Sequence, residues 1–407
     1  MTALCPGRTL LPISLLVHAV LSQVVSYALR PAVSYAILDL DLAHGSVWLG
    51  IASAGFAVPP MVVALGAGRL ADRLGERSCL LGGSVVFVLA ALLAMAGGDS
   101  LAALLASIVL LGLGLLLTVI GQQAWVMRSA SPDGLDSAFG IYTFATSCGQ
   151  MLGPLTLLLP SRAGEESPPF AAITTLVLVS AVACTVLSVV IPSTHRPSSR
   201  SAEQPGRILA SAKRLLIQPG LPAAMVTSSL VLASIDITLA YLPLLAHERG
   251  FAPMWVGVIL TARGLGTMLS RISLAALTRR LGRRRVLVVG CAVSAAALMS
   301  MAVPMHPSGL VLFMCVYGVA AGTVQPLTMS WVTILTPSET RGVAASLRLV
   351  GNRMGQTLLP LAAGALSTAG GAALILTLTG ATLVSGAWLS RRAPAFDGGG
   401  VDEDPQG

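Results

Sequence analysis

The 407-residue sequence has few charged residues. They make up 10% of the chain, whereas hydrophobic residues make up 55% and the mean hydropathy is +0.83. A soluble globular domain carries about 25% charged residues. The shortage excludes an ordinary soluble enzyme of this length and predicts a polytopic membrane protein that contacts the lipid bilayer.

Several chemical motifs are missing as well. The 6 cysteines form neither a C-x-x-C pair nor any other metal-ligating spacing, so no metal site and no disulfide framework is predicted. No G-x-x-x-x-G-K-[ST] segment is present, which argues against ATP as the energy source. The net charge of +8 comes from short basic clusters between apolar runs, a pattern unlike that of a nucleic-acid-binding protein. We therefore expect no cofactor and no nucleic-acid partner.

Apolar runs of spanning length are abundant. A membrane helix needs about 20 mostly apolar residues. Twelve stretches qualify: 10–36, 47–67, 79–97, 101–127, 137–160, 170–191, 221–246, 254–277, 285–305, 309–335, 344–368 and 371–390. The first run exceeds a signal-peptide core and lacks a small-residue cleavage site, so we expect a retained helix.

These runs predict an all-α protein whose twelve transmembrane helices form two pseudo-symmetric bundles of six. The predicted domains are an N-terminal bundle (1–191), a Pro- and Ser-rich cytoplasmic linker (192–220), a C-terminal bundle (221–390) and a disordered acidic tail (391–407). Arginines concentrate in the linker and in the loops on its side of the predicted bundles. The positive-inside rule then places both termini and the linker in the cytoplasm. A multi-pass protein of the cell membrane is expected, with the bacterial inner membrane as its location.

The two halves repeat at an offset of 206 to 207 residues. The segment WLG at Trp48 pairs with WVG at Trp255, and Trp125 pairs with Trp331. The segment GQMLGP, which ends at Pro154, pairs with GQTLLP. Several matches at one offset indicate duplication, an architecture in which substrates bind between the halves near the midplane of the membrane.

The segment GRLADRLGER after the second run resembles the signature loop of the major facilitator superfamily. The positions that carry the resemblance and would form its gating motif are Gly68, Asp72, Arg73, Gly75 and Arg77. The resemblance implies that Asp72 latches the two halves on the cytoplasmic side. Glu76 departs from the motif, which usually has a basic residue there, and we expect it to weaken the local charge network. A plain positive-inside turn is the alternative.

The fifth run resembles the helix-5 motif of the drug/proton antiporter branch of that superfamily. Its matching positions are Gly140, Gly149, Gly153 and Pro154. Small residues and proline also suit close helix packing, which is the alternative explanation. That branch has an arginine in helix 4 where this chain has Ile108, so its means of proton coupling does not carry over.

Charged residues inside apolar runs are the main functional candidates, because each costs about 2.5–3.5 kcal/mol at the bilayer centre. Asp236 is the acid among them, and it serves either as a proton carrier or as one half of a static ion pair. Arg348 lies near a helix end, where a structural role is expected. The candidate substrate- and proton-binding residues are Asp236, Arg30, Arg263, Arg353, Gln356, Asn352, Gln123, Gln325 and His18.

The expected function is secondary active transport by alternating access, with proton-coupled efflux of a small organic compound. The alternative is an organic-anion uptake permease or exchanger of the same fold. A membrane-embedded enzyme or receptor is a remote third, because Asp236 has no second carboxylate within the predicted spans and no large soluble domain is evident. The expected partners are a small-molecule substrate and protons, and a monomer is expected.

Overall fold

The computed structural model describes residues 11–64, 75–129, 135–160, 167–192, 212–337 and 340–393. Within these ranges the chain is helical and contains no strand. The first half comprises α1 (Ile13–Asp39), α2 (Gly45–Ala64), α3 (Glu76–Ala96), α4 (Leu101–Ser129), α5 (Leu135–Leu152) and α6 (Phe170–Val190). A 3₁₀ turn, Gly153–Leu158, continues α5.

The second half repeats the pattern. It comprises α7 (Leu221–Glu248), α8 (Pro253–Leu281), α9 (Arg283–Met301) and α10 (Pro307–Leu335). The last run, Arg341–Ser390, is broken by non-helical backbone at Gly370 and Gly371. We number its parts α11 (341–369) and α12 (Gly370–Ser390).

The twelve helices correspond to the twelve predicted spans, and their ends differ from the predicted ends by about four residues at most when the 3₁₀ turn is counted with α5. Among the described residues, nine helices are long and apolar enough to cross a membrane by length and composition. The other three are α5, α8 and α11. Arginines interrupt the apolar character of α8 and α11, while α5 is less apolar because it contains Asp136, Gln150 and several Ser and Thr residues.

The helices associate as two bundles that meet along a seam. Contacts across the seam join α1 with α7, α2 with α11, α2 with α7, and α5 with α8. We call the end of the molecule where α6 ends and α7 begins the linker end, and the opposite end the far end. The predicted domain boundaries remain predictions. Residues 193–211 and 394–407 lie outside the described residues, and 212–217 form a short helix.

The break between α11 and α12 is anchored at the far end. Gly371 has φ +60°, a left-handed conformation that glycine adopts without steric cost. Both carboxylate oxygens of Glu248, in the last turn of α7, lie 3.1 Å from the backbone nitrogen of Ala372, which donates to them. A carboxylate at this position also interacts favourably with the positive end of the α12 dipole. The contact ties the far end of α7 to the start of α12.

A charged cluster at the seam between the bundles

A buried ion pair joins the two bundles. The Arg30 Nη1 atom of α1 donates to Asp236 Oδ1 of α7 over 2.6 Å, and the two residues are 6% and 3% exposed. They lie 206 residues apart, which is the offset of the internal repeat. The pair therefore connects equivalent positions of the two halves, and any movement of one bundle against the other acts on it.

The second oxygen of Asp236 extends the network to α11. Gln356 Nε2 donates to Asp236 Oδ2 over 2.6 Å, and Gln356 Oε1 accepts from Arg353 Nη1 over 3.1 Å. Four of the sequence-predicted site residues are thus linked in one chain of hydrogen bonds. The geometry confirms that they adjoin one another but does not test their roles.

Phe56 of α2 is a member of the cluster that the sequence analysis missed. The guanidinium carbon of Arg30 lies 4.2 Å from the centroid of its ring, and that of Arg353 lies 6.0 Å away. A cation over an aromatic face contributes about 2 kcal/mol when desolvated. One sequence signal was available, because Phe56 occupies the repeat position of Arg263, 207 residues earlier.

Arg263 of α8 adjoins the cluster and has no recorded acidic partner in the described ranges. Its guanidinium carbon lies 5.1 Å from the ring centroid of Tyr27, which precedes Arg30 by one helical turn. Arg263 is 1% exposed, and its Nε and Nη2 atoms have no hydrogen-bond partner among the described residues. Arg263, a candidate binding residue of the sequence analysis, therefore lies at the seam against α1, and its role stays a prediction.

The cluster carries excess positive charge. Arg30, Arg263 and Arg353 face the single carboxylate of Asp236, and arginine does not lose its proton in proteins. Among the described residues, Arg30 Nη2 and Arg353 Nε also lack acceptors. Buried donors without partners are unfavourable, so an additional acceptor would stabilise the cluster, and an anionic acceptor would also offset its charge.

A small cavity lies beside Arg30. Ser34 and Ser53 provide its polar lining, and the Oγ atom of Ser53 has no partner among the described residues. The apolar lining consists of Val33, Leu49, Ala52, Ile108 and Ala240. Arg30 itself also lines the cavity, so free volume adjoins the charged cluster.

Three other predicted residues have no recorded hydrogen bond to the cluster in the part of the chain that the structure describes. Asn352 is buried and accepts from Ser229 Oγ over 3.5 Å, whereas Gln123 is exposed. Gln325 donates to the backbone carbonyl of Ser228, and Arg348 donates to the backbone and side-chain oxygens of Gln325. Gln325 and Arg348 thus join α7, α10 and α11 structurally, as expected for Arg348.

His18 lies in a separate polar network inside the N-terminal bundle. Its Nε2 atom is 3.1 Å from both Ser84 Oγ and Ser188 Oγ, and its Nδ1 atom is 2.9 Å from Gln122 Nε2. Tyr142 donates to Gln122 Oε1. His18 is fully buried and has partners on both ring nitrogens. The arrangement is that of a packing residue rather than a ligand at the seam.

The gating motif is described only in part, because Gly68, Asp72 and Arg73 lie outside the described residues. Gly75 has φ +79° and precedes α3, and Arg77 Nη2 donates to the backbone carbonyl of Val189 over 2.5 Å. Glu76 is fully buried and forms an ion pair with Arg128. Arg128, in the last turn of α4, provides its counter-charge. The expectation that Glu76 weakens the charge network of the motif stays a prediction, because Asp72 and Arg73 are not described.

The helix-5 motif is accounted for mainly by packing. A methyl group built at Gly149 would lie 2.2 Å from Val20 O, and one at Gly153 would lie 2.7 Å from Tyr27 Cβ. Both glycines therefore allow α5 to approach α1 closely. Gly140 faces open space.

The repeated Trp-x-Gly and Pro segments form two equivalent contacts at the far end of the seam. A methyl group at Gly50 would lie 2.6 Å from Pro360 O, and one at Gly257 would lie 2.9 Å from Pro154 O. The hydroxyl of Tyr241 lies 3.2 Å from Ser46 O of α2 and 3.1 Å from Pro360 O of α11. We call these contacts the far-end seal. They give the duplicated motifs a physical reason, because each half supplies one glycine and one proline.

The sequence profile of the Major Facilitator Superfamily matches residues 15–259 and 224–404. The chain belongs to the Major Facilitator Superfamily. It is a multi-pass membrane transporter and not an enzyme. No curated protein matches it in sequence.

Solved structures of this superfamily share the fold. The inward-open xylose transporter XylE from E. coli is 14% identical, with 95% of this chain and 97% of that chain covered and a TM-score of 0.74. The nucleoside transporter NupG is 14% identical, with 93% and 98% covered and a TM-score of 0.75. The human organic anion transporter MFSD10 (TETRAN) is 19% identical, with 95% and 100% covered and a TM-score of 0.69. At these identities the likeness concerns the fold alone.

Proposed function

We propose that this chain is a proton-coupled secondary transporter of a small organic compound and works by alternating access. The observation that carries the proposal is the Arg30–Asp236 ion pair, which crosses the seam and is buried on both sides. Rocking the bundles against each other requires this pair to separate or to turn. Protonation of Asp236 removes the attraction and so couples a proton to the movement.

The carboxylate of Asp236 is suited to this role. It accepts hydrogen bonds from α1 and α11 at the same time, donated by Arg30 and Gln356. A desolvated carboxyl takes up a proton more readily than one in water, whereas a nearby guanidinium favours the ionised form. Separation of Arg30 from Asp236 takes away the counter-charge of the carboxylate, which a bound proton then replaces, and the return of Arg30 displaces that proton. This alternation supplies the coupling.

The Arg30–Asp236 pair bears on proton coupling but not on the direction of transport. Export is the expectation from the helix-5 resemblance, but Gly149 and Gly153 are explained by packing against α1. The excess of guanidinium groups opposes an organic cation as substrate, since the cluster would repel it. This observation favours the organic-anion alternative.

The experiment measures flux into proteoliposomes of purified protein with and without an imposed pH gradient. The probes are p-toluenesulfonate, ethidium and xylose, which are anionic, cationic and neutral. We expect gradient-driven flux of at least one probe, lost in Asp236→Asn. Asp39→Asn is the matched control, because Asp39 is an exposed carboxylate at the far end of α1.

Gradient-driven flux that persists in folded Asp236→Asn protein would refute the assigned role. Wild-type flux that is the same with and without the imposed pH gradient would refute proton coupling itself. Size-exclusion chromatography of each variant shows whether the protein remains folded.

A further inference from the structure

We infer that the transported compound is a small organic anion, that its charged group docks on Arg263 beside the Arg30–Asp236 pair, and that proton and anion bind together rather than in exchange. The inference rests on the proposed function and adds the substrate class and the sign of the coupling. It departs from the antiport expected from the helix-5 resemblance.

Arg263 is the part of the cluster with the most unused binding capacity. Two of its guanidinium nitrogens are buried without an acceptor among the described residues, and the contact recorded for its guanidinium is with the ring face of Tyr27. The guanidinium fork matches a carboxylate, sulfonate or phosphate group, to which it donates two parallel hydrogen bonds. An apolar body attached to the charged group would contact the aromatic ring of Tyr27, which already packs against this guanidinium.

The neighbouring guanidiniums contribute to the same charge. Arg30 Nη2 and Arg353 Nε are also buried without acceptors among the described residues. With Asp236 ionised, the three arginines and one carboxylate sum to a charge of +2 (three minus one). An anion therefore lowers the electrostatic energy of the cluster, whereas a cation raises it.

The sign of the coupling follows from the groups around Asp236. Several ionisable or charged groups lie near this acid on the helices that pack against α7. They are Arg30 and Tyr27 on α1, Arg263 on α8, Tyr317 on α10 and Arg353 on α11. Helix α2 contributes none, and α7 itself carries Tyr241. A bound anion adds negative charge next to the carboxylate and so increases its affinity for a proton. By linkage, protonation increases the affinity for the anion by the same factor.

The test measures ligand binding to purified, detergent-solubilised protein, without any gradient. The probes are p-toluenesulfonate and methanesulfonate, whose charge does not change between about pH 5 and about pH 8, and the neutral isostere p-toluenesulfonamide. We expect at least one sulfonate to bind at millimolar concentration and the sulfonamide to bind at least about tenfold more weakly. We also expect sulfonate affinity to rise about tenfold from about pH 8 to about pH 5.

Two variants of α8 localise the site. Arg263→Gln should lose about tenfold or more in sulfonate affinity, whereas Arg271→Gln, two turns further along the same helix, should bind as the wild type does. Arg263→Gln removes no hydrogen bond recorded in the structure, so we expect its thermal stability to be kept. In Asp236→Asn the anion should still bind, but its affinity should no longer depend on pH.

Equal binding of sulfonate and sulfonamide, wild-type sulfonate affinity in Arg263→Gln, or no binding of either sulfonate would overturn the inference. Sulfonate affinity that falls as the pH falls would overturn the shared binding of proton and anion. These failures are distinct from failure of the proposed function. Gradient-driven ethidium or xylose flux without anion binding would remove only the anion site, while anion binding without gradient-driven flux would remove only the coupling.

Discussion

Removal of one partner of the Arg30–Asp236 pair should destabilise the protein unequally, depending on which partner is removed. Asp236→Asn leaves Arg30 buried opposite a neutral amide, and arginine has no neutral form to adopt. Breaking a buried pair in this way costs about 3–5 kcal/mol. Arg30→Gln leaves a carboxylate that keeps its bond from Gln356 and becomes neutral by taking up a proton, so its cost should be smaller.

The double variant Arg30→Gln/Asp236→Asn should recover much of this loss, because two neutral side chains replace two charges. We expect a coupling energy of about 1–3 kcal/mol in the double-mutant cycle. The assay is denaturant unfolding in detergent micelles, followed by tryptophan fluorescence. Strictly additive costs, or a larger loss for Arg30→Gln than for Asp236→Asn, would refute the view that the pair is the main interaction of both residues.

Three other regions give further predictions. Gly50→Leu should open the far-end seal and increase labelling by an impermeant maleimide of Cys148, whose Sγ atom lies 3.8 Å from Met268 Sδ across the seam. Gly82→Leu, at a glycine with no neighbour within 4 Å, should not, and equal labelling of both variants would contradict the seal. His18→Leu should lower the unfolding free energy by about 1–3 kcal/mol, because polar partners lose their bonds, and should leave the pH dependence of flux unchanged. Glu76→Arg, which restores the usual basic residue, should destabilise the protein by placing two cations together at Arg128, and wild-type stability of that variant in thermal unfolding would contradict the ion pair.

The helices were predictable because each needs one long apolar run, and such runs are easy to recognise whatever the tertiary contacts. Part of the seam cluster was also predictable, because its charged members interrupt these apolar runs. A charge inside an apolar run is costly, so Arg30, Asp236, Arg263 and Arg353 are conspicuous. The repeat offset also placed Arg30 and Asp236 at equivalent depths.

Contacts between distant segments were beyond the sequence analysis. Phe56 is an ordinary apolar residue in an apolar helix, and its position beside two guanidiniums is what distinguishes it. His18 has the chemistry of a proton carrier, but Ser84, Ser188 and Gln122 occupy its ring nitrogens from three other helices. No local pattern reveals such partners.

The pH dependence of the far-end distance tests the central claim most directly. Spin labels would be placed at Ala43→Cys and Ala252→Cys, two exposed far-end positions in different bundles, in a background without the native cysteines. Pulsed electron paramagnetic resonance should show a longer distance at about pH 5 than at about pH 8, since protonation of Asp236 releases Arg30 and lets the seal open. Asp236→Asn should show the longer distance at both pH values. A distance in the parent protein that does not change with pH would contradict the account.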